Sequence, residues 1–165
     1  MRNLLAMALL GVASLHAQAS SDAWAPLRFL IGTWDARSVN GDVQSSGSYV
    51  FQTELRGHVL ARHAATKDCK GPLDFNCEHS DLLYIYAEGS SYQAIYFDNE
   101  GHVIHYNVST PAPATAVFLS DEKQPGRQFR LVYGLKNGVM NGKFQLKAPG
   151  QAEFRSYLEW TGGKK

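Results

Sequence analysis

The feature that most constrains the fold is an alternation of apolar and polar side chains with a period of two, which begins at Thr33 and continues towards the C-terminus. This period places successive side chains on opposite faces of an extended strand. Short turn sequences such as Asn137-Gly138 interrupt the alternation repeatedly. The pattern predicts ten strands, at residues 32–39, 43–55, 58–67, 81–88, 91–98, 102–109, 115–120, 128–135, 139–147 and 151–160.

The turn at Asn137-Gly138 allows one strand pairing to be tested against the pattern. A two-residue turn there pairs Leu135 with Met140, Tyr133 with Gly142, Leu131 with Phe144 and Phe129 with Leu146. One face of the hairpin is then apolar throughout, and a slip of one residue would destroy that agreement. An odd-length turn at residues 148–150 continues the inner face to Phe154, Ser156, Leu158 and Trp160.

Ten antiparallel strands with one apolar face each would leave open edges unless the sheet closes. We therefore predict an all-β fold, a ten-stranded antiparallel up-and-down β-barrel with a Gly-x-Trp sequence at its first strand. One short helical turn is expected within residues 23–31, just before Gly32. The first hairpin places Trp34 opposite Gly47, where the missing side chain leaves room for the indole.

The first nineteen residues have the pattern of a secretory signal peptide. Arg2 gives a positive start, residues 4–15 are mostly apolar, and Ala17-Gln18-Ala19 is a small-x-small cleavage site. We predict a signal peptide at 1–19 and one barrel domain at 20–165, located in the periplasm or secreted. The apolar run is too short for a good membrane span, so we predict no integral membrane span.

The charge balance argues against a nucleic-acid partner. Loss of Arg2 with the signal peptide lowers the number of basic residues from 16 to 15, which equals the 15 acidic residues. No run of like charges or basic stripe interrupts this balance. A chain without net charge has no long-range attraction to a polyanion.

Cys69 and Cys77 are the two cysteines of the chain, and they bracket a loop that contains Gly71-Pro72. In an oxidising compartment, two cysteines this close indicate a loop-closing disulfide. A zinc site would need four ligands at tighter spacing, and His79 is the one histidine near this loop. We predict the disulfide, and no metal.

The segment Phe29-Leu30-Ile31-Gly32-Thr33-Trp34, followed by consecutive short strands, resembles the calycin superfamily of lipocalins, fatty-acid-binding proteins and nitrobindin-like barrels. It is most similar to secreted bacterial calycin-like proteins. The resemblance implies that the tryptophan plugs one end of the barrel and that the other end opens onto a cavity for a small molecule.

Two departures from those families limit what the resemblance implies. Arg155-Ser156-Tyr157 matches the Arg-x-Tyr by which fatty-acid-binding proteins hold a carboxylate, but the predicted register favours an outward Arg155 over an inward one. Nitrobindin-like proteins bind haem through a histidine late in the chain, whereas the last histidine here is His105. We therefore predict no cofactor, with haem as the one to test.

The candidate ligand-binding residues follow from the predicted inner face. The hairpin between the fifth and sixth strands places Phe97 opposite His102, with Tyr106 on the same face. The turn after the second strand directs either Arg62 or His63 inward, depending on whether its length is even or odd. The full set of predicted cavity-lining residues is Tyr49, Phe51, Arg62, His63, Phe97, His102, Tyr106, Tyr133, Phe144 and Phe154.

The leading functional hypothesis is a secreted protein that binds a small apolar or amphipathic molecule in the barrel, without catalysis. Aromatic side chains and a few polar groups on one inner face are typical of small-molecule sites. The first alternative is an enzyme with His63 or His102 as general base and an inner tyrosine as acid. The second is a passive envelope or interaction domain with a filled barrel and an exposed apolar patch. Neither the ligand nor the oligomeric state follows from the sequence.

Overall fold

In a computed structural model, which describes residues 22–39, 43–72, 75–121 and 126–165, the chain forms a closed antiparallel barrel. Each strand pairs with its neighbours in the sequence, and the last strand pairs with the first. The strands are β1 Gly32–Ser38, β2 Gln44–Glu54, β3 Val59–Lys70, β4 Ser80–Glu88, β5 Ser91–Asp98, β6 Val103–Ala112, β7 Thr115–Ser120, β8 Gln128–Lys136, β9 Val139–Lys147 and β10 Arg155–Gly163. This confirms the predicted all-β, ten-stranded up-and-down barrel.

A short 3₁₀ helix, Ala25–Leu30, covers one end of the barrel. Leu27 and Leu30 are both fully buried, because a 3₁₀ helix repeats every three residues and so presents both to the core. Trp34 is also buried, and its indole N–H donates to the carbonyl of Leu30 at 2.8 Å. We call this end the plug, and its members are Trp24, Leu27, Leu30 and Trp34.

Two hairpins have the faces that the sequence pattern predicts. All four predicted pairs across the Asn137-Gly138 turn are present. Arg62 lies inside the barrel opposite Phe51, because four residues separate β2 from β3 and an even number selects Arg62 over His63. Leu55 and Arg56, in the short 3₁₀ turn there, both have positive φ.

The predicted register between β5 and β6 is wrong by one residue. Phe97 pairs with Val103, so both side chains face outward and are exposed, whereas Tyr96 and Ile104 face inward. The cause is the turn, which is longer than the sequence indicates. The Asp98 carboxylate accepts hydrogen bonds from the backbone N–H groups of residues 100 and 102 and holds a five-residue turn in place.

The inner face predicted for the start of the last strand is also wrong. β10 begins at Arg155, and its pairing with β9 is irregular between Ser156 and Leu158. The extra residue restores the phase, so Leu158 and Trp160 face inward as predicted, while Ser156 is exposed. Phe154 lies outside the wall, with the guanidinium carbon of Arg130 4.1 Å from its ring centroid.

Gly47 has a different structural role from the predicted one. Trp34 pairs with Tyr49, and Gly47 pairs with Ala36. A Cβ atom at position 47 would overlap the backbone of Ala65 on the neighbouring strand. Gly47 is therefore needed for a close approach of two strands and not for space beneath the indole.

Close backbone contacts also join the first and last strands. Arg37 pairs with Thr161, and the N–H of Lys165 donates to the carbonyl of Thr33 at 2.9 Å. Gly162 permits this approach, because a Cβ atom there would overlap the carbonyl of Asp35. These contacts close the wall, so the barrel has no open strand edge at this position.

The predicted disulfide between Cys69 and Cys77 is present, and it ties the end of β3 to the loop that precedes β4. The predicted signal peptide at 1–19 lies outside the described residues. Within the described part of the chain, no helix has both the length and the apolar character needed to cross a membrane.

Candidate functional site

The middle of the barrel is packed with side chains. Leu60, Leu83, Ile85, Phe118 and Tyr133 are completely buried there. At the end opposite the plug, many of the inner side chains are only partly buried. We call this end the mouth, and its half-buried inner residues include Ala36, Ala64, Tyr96, Ile104, Phe129, Phe144 and Trp160. Any space for a ligand inside the barrel must therefore lie at the mouth.

The floor of the mouth is a buried ion pair between Arg62 of β3 and Asp81 of β4. Arg62 also donates to the hydroxyl of Tyr133, which crosses from β8 on the far wall. Arg62 and Asp81 are 5% and 9% exposed. A buried ion pair contributes little net stability because both ions lose their hydration, so its presence inside a barrel points to a role beyond packing.

Arg62 and Asp81 each favour the charged form of the other. Burial lowers the pKa of Arg62, but the charge and hydrogen bond of Asp81, together with Tyr133 and Tyr96, outweigh burial and the net shift is upward. Burial raises the pKa of Asp81, but the charge of Arg62 and hydrogen bonds from His79 and Arg62 lower it overall. Burial raises the pKa of Tyr133 to about 12. At neutral pH the floor therefore holds one cation, one anion and a neutral phenol.

A chain of polar side chains runs from this floor to the surface. We call it the rim cluster, and its members are His79, Tyr96, Asp98, Glu100 and His102. Nε2 of His79 lies 3.4 Å from Asp81 and 3.2 Å from the hydroxyl of Tyr96, and its Nδ1 lies 3.0 Å from Glu100. The same tyrosine hydroxyl donates to Asp98 at 3.2 Å, and Asp98 lies 2.9 Å from Nδ1 of His102.

The rim cluster favours a protonated His79 and a neutral Tyr96. The hydrogen bond to Asp81 raises the pKa of His79, burial opposes this rise, and the hydrogen bond to Glu100 adds to it. Burial, followed by the charge of Asp81, raises the pKa of Tyr96 far above its ordinary value. Backbone and side-chain hydrogen bonds from His102 outweigh burial and lower the pKa of Asp98.

Three buried polar atoms near the floor have no hydrogen-bond partner in the described part of the chain. They are the hydroxyl of Tyr49, Nε of Arg62 and Nε1 of Trp160. The side chains of all three lie around the ring of Tyr133, at 5.7–5.9 Å from its centroid. Buried polar groups are nearly always paired, so a group of unpaired ones marks a place where another molecule is expected.

An open groove of about 630 Å³ borders the barrel wall beside β6. β7 ends opposite Tyr106, so among the described residues the first ones of β6 have no pairing partner on that side. The groove is lined by side chains from both faces of the wall, among them inward Ile104 and Phe129 and outward His105. Its volume lies within the range of small-molecule sites, which is about 300–1,000 Å³.

The structure brings together six of the ten predicted cavity-lining residues, and whether they bind a ligand stays a prediction. Inside the barrel lie Tyr49, Phe51, Arg62, Tyr106, Tyr133 and Phe144. The other four lie outside. His63 pairs with Glu54 on the outer wall at 2.9 Å, His102 belongs to the exposed rim, and Phe97 and Phe154 face outward for the reasons given above. Arg155 is exposed, but it pairs with Leu146 of the inner face, so the register that favoured an outward Arg155 is wrong at this position.

The sequence analysis did not select His79, Asp81, Tyr96 or Asp98. A signal for Asp81 was present, because it has the same phase as the buried Leu83 and Ile85 on β4. A carboxylate in phase with a buried face needs a cationic partner, and Arg62 was the candidate. Tyr96 was missed because the one-residue register error exchanged it for Phe97.

His79, Asp98 and Glu100 are the described residues most suited to hold a metal ion. One ligand atom from each lies within 4.8 Å of the others. Imidazole and carboxylate groups are ordinary zinc ligands. Each of these side chains already has hydrogen-bond partners in the protein, however, so the arrangement is complete without an ion. We assign no metal here.

A scan of protein-family models and a search of curated proteins both found no match to this chain. The likeness to calycins therefore depends on the closed ten-strand topology and on the buried Trp34 beside the plug helix. Both features are compatible with a calycin-like fold.

Proposed function

We propose that the protein is exported and binds a small apolar or amphipathic molecule at the mouth of the barrel, without catalysis. The observation that carries the proposal is the set of unpartnered polar atoms at Tyr49, Arg62 and Trp160, beneath half-buried apolar side chains. An apolar lining with a few fixed polar groups is how small-molecule sites are built. The groove beside β6 would provide access from the side.

Export is supported by the disulfide Cys69–Cys77, since such bonds persist in oxidising compartments. It is also supported by the signal-peptide pattern at residues 1–19. Intact-mass measurement of the protein purified from its source would show a chain that begins near Ser20. A full-length chain starting at Met1 would contradict export by this route.

Binding is tested by the melting temperature of the purified protein in the presence of fatty acids, long-chain alcohols, haem and small aromatic compounds. A ligand at about 100 times its Kd stabilises the fold by about 2.7 kcal/mol, which is several degrees in a domain of this size. Intrinsic tryptophan fluorescence reports on Trp160 independently. A flat response of both signals to all compounds would refute the proposal.

Two neighbouring alanines provide a matched pair of variants. Ala64 faces into the mouth opposite Tyr49 and Asp81, whereas Ala65 is exposed on the outer face of the same strand. Ala64→Leu should fill the mouth and abolish the ligand-induced shift, and Ala65→Leu should leave it unchanged. Equal binding by the two variants would place the ligand outside the mouth.

The enzyme alternative has a weaker basis in this geometry. His63 and His102 both lie near carboxylates but outside the barrel, so neither can act on a molecule in the mouth. Both ring nitrogens of His79 already contact protein groups, with Asp81 and Tyr96 at Nε2 and Glu100 at Nδ1, so neither faces a molecule in the mouth as a free base. Tyr96 has a strongly raised pKa and is a poor acid. Binding without chemistry is the better match.

A further inference from the structure

The unpartnered atoms at the floor are all hydrogen-bond donors. Nε of Arg62 and Nε1 of Trp160 can only donate, and the hydroxyl of Tyr49 can donate as well as accept. A buried donor without a partner destabilises the fold, because it has lost its hydrogen bond to water. Three such costs around one ring would be hard to retain unless an acceptor occupies the site for part of the time.

The positions of these donors are fixed by their surroundings. Tyr49 and Arg62 are each 5% exposed. The indole of Trp160 lies directly over Gly142, where a Cβ atom would overlap it. Burial raises the pKa of Tyr49, whereas the indole of Trp160, which approaches its hydroxyl as a hydrogen-bond donor, and the charge of Arg62 lower it in part. The side chains of the three donors therefore lie together around the ring of Tyr133.

The charge at the floor decides which acceptor fits. Asp81 already neutralises Arg62, through an ion pair that is almost completely buried. A second carboxylate, brought in by a ligand, would be a buried charge without its own counter-ion and would lie close to Asp81. Burial of such a charge is far more costly than burial of a neutral oxygen. The donors thus suit a carbonyl or hydroxyl oxygen.

We propose that Tyr49, Arg62 and Trp160 recognise an uncharged oxygen, in a ketone, ester or alcohol, at one end of an otherwise apolar ligand. This inference rests on the proposed function, because it names the chemical class of the molecule bound at the mouth. It differs from a fatty-acid site, in which an unpaired arginine holds a carboxylate.

The test compares probes that share a chain length and differ in the terminal group. Affinities of the whole mature protein for dodecan-2-one, dodecan-1-ol, dodecanoate and dodecane are measured at pH 8 by tryptophan fluorescence and by calorimetry. We expect the ketone and the alcohol to bind at least about tenfold more tightly than dodecanoate and dodecane. This factor corresponds to about 1.4 kcal/mol, the net value of one or two hydrogen bonds.

Variants identify the donors. Tyr49→Phe and Trp160→Phe each remove one donor and keep an aromatic ring. Each should weaken binding of dodecan-2-one about 3- to 10-fold, as expected for one hydrogen bond, and leave dodecane binding unchanged. Tyr84→Phe is the matched control, because Tyr84 packs against His63 on the outer wall. Should one donor variant fail to fold, the other still gives the measurement.

The outcomes separate this inference from the proposed function. If none of the four probes binds, the proposed function fails and this inference with it. If dodecanoate or dodecane binds as tightly as the ketone, the protein binds apolar molecules but the uncharged-oxygen inference is wrong. It is also wrong if the two donor variants leave the ratio of ketone to dodecane affinity unchanged.

Discussion

The two ends of this barrel solve the problem of buried polar groups in opposite ways. At the plug, the indole of Trp34 donates to Leu30 and the indole of Trp24 donates to Gly57 at 2.7 Å. At the mouth, the nitrogen of the Trp160 indole is buried and has no hydrogen-bond partner among the residues that the structure describes. Stability requires a complete set of hydrogen bonds, so the plug is complete as part of the fold, whereas at the mouth the proposed ligand would complete the set.

The two ends also differ in charge. The plug consists of four apolar side chains, whereas a continuous path of charged and polar groups connects the buried Arg62 to the surface at the mouth. Polar networks in low dielectric are stabilising only when every member is satisfied. If the charges at the mouth serve a ligand, the fold itself should not need them.

Breaking the buried ion pair should give the largest loss of stability at the mouth. Asp81→Leu leaves Arg62 buried without a counter-ion, and we expect a loss of about 3–5 kcal/mol. The double variant Arg62→Met/Asp81→Leu should recover most of this loss, because it replaces the pair with apolar groups. Urea denaturation measures both. A double variant as unstable as the single one would show that the pair is needed for the fold, and the comparison would fail.

The disulfide should stabilise the mouth end of the barrel and should have no effect on the stability of the plug end. It ties the end of β3 to the loop before β4, at the mouth side of the barrel. Replacing both cysteines, by Cys69→Ser/Cys77→Ser, should cost about 2–3 kcal/mol for so short a loop. Hydrogen exchange should increase in residues 66–82 and remain slow in β1 near the plug. Uniform loss of protection along the chain would contradict this division.

Much of the plug and little of the mouth could be predicted from the sequence. The strand positions and the pairs across the Asn137-Gly138 turn follow from the period of two, because each depends on nearby residues, whereas the role of Trp34 was implied by the likeness to calycins. The contact between Arg62 and Tyr133 spans 71 residues and crosses the barrel interior. The alternation of apolar and polar residues predicts which face of the sheet a side chain occupies. It does not predict which strands lie opposite each other across a closed barrel.

The errors have a common cause in turn and bulge geometry. The five-residue turn that Asp98 holds in place moved Phe97 outside and Tyr96 inside, and the irregularity at Ser156 moved Phe154 outside. One residue added to a turn, or removed from it, turns the inward side chains of the next strand outward and the outward ones inward. Side-chain capping of a turn was therefore the missing information.

The indole of Trp160 at the mouth should respond to a substitution at Gly142, on which it packs. Gly142→Ala should displace Trp160, because the new methyl group overlaps the indole, and should cost about 1–3 kcal/mol as an overpacked core does. Gly134→Ala on the neighbouring strand is the matched control, since no atom lies within 4 Å of its added Cβ. Tryptophan emission should shift to the red in the first variant alone. An equal red shift in both would mean that the shift does not report on the contact between Gly142 and Trp160.

The smallest expected effect concerns the charge of His79. Its pKa is raised in the folded protein, chiefly by the hydrogen bond to Asp81. The protonated form therefore stabilises the fold fully below the pKa of the unfolded chain, near 6.5. This contribution is lost as the pH rises through the higher folded pKa. The free-energy difference between wild type and His79→Gln should thus be larger at pH 6 than at pH 9, by about 0.2–1 kcal/mol.

The control for this difference is a histidine at the other end of the barrel. His58 lies on an exposed turn beside the plug, so His58→Gln removes an imidazole without touching the rim cluster. Urea denaturation of the three proteins at pH 6, 7.5 and 9 should show a pH-dependent difference for His79→Gln that is larger than the difference for His58→Gln. If the two variants follow the same course with pH, or if the His79→Gln difference grows towards pH 9, His79 is not protonated in the fold. The charged groups that connect Arg62 to the surface would then stop at Asp81. The mouth would differ less in charge from the plug than the hydrogen bonds of His79 indicate.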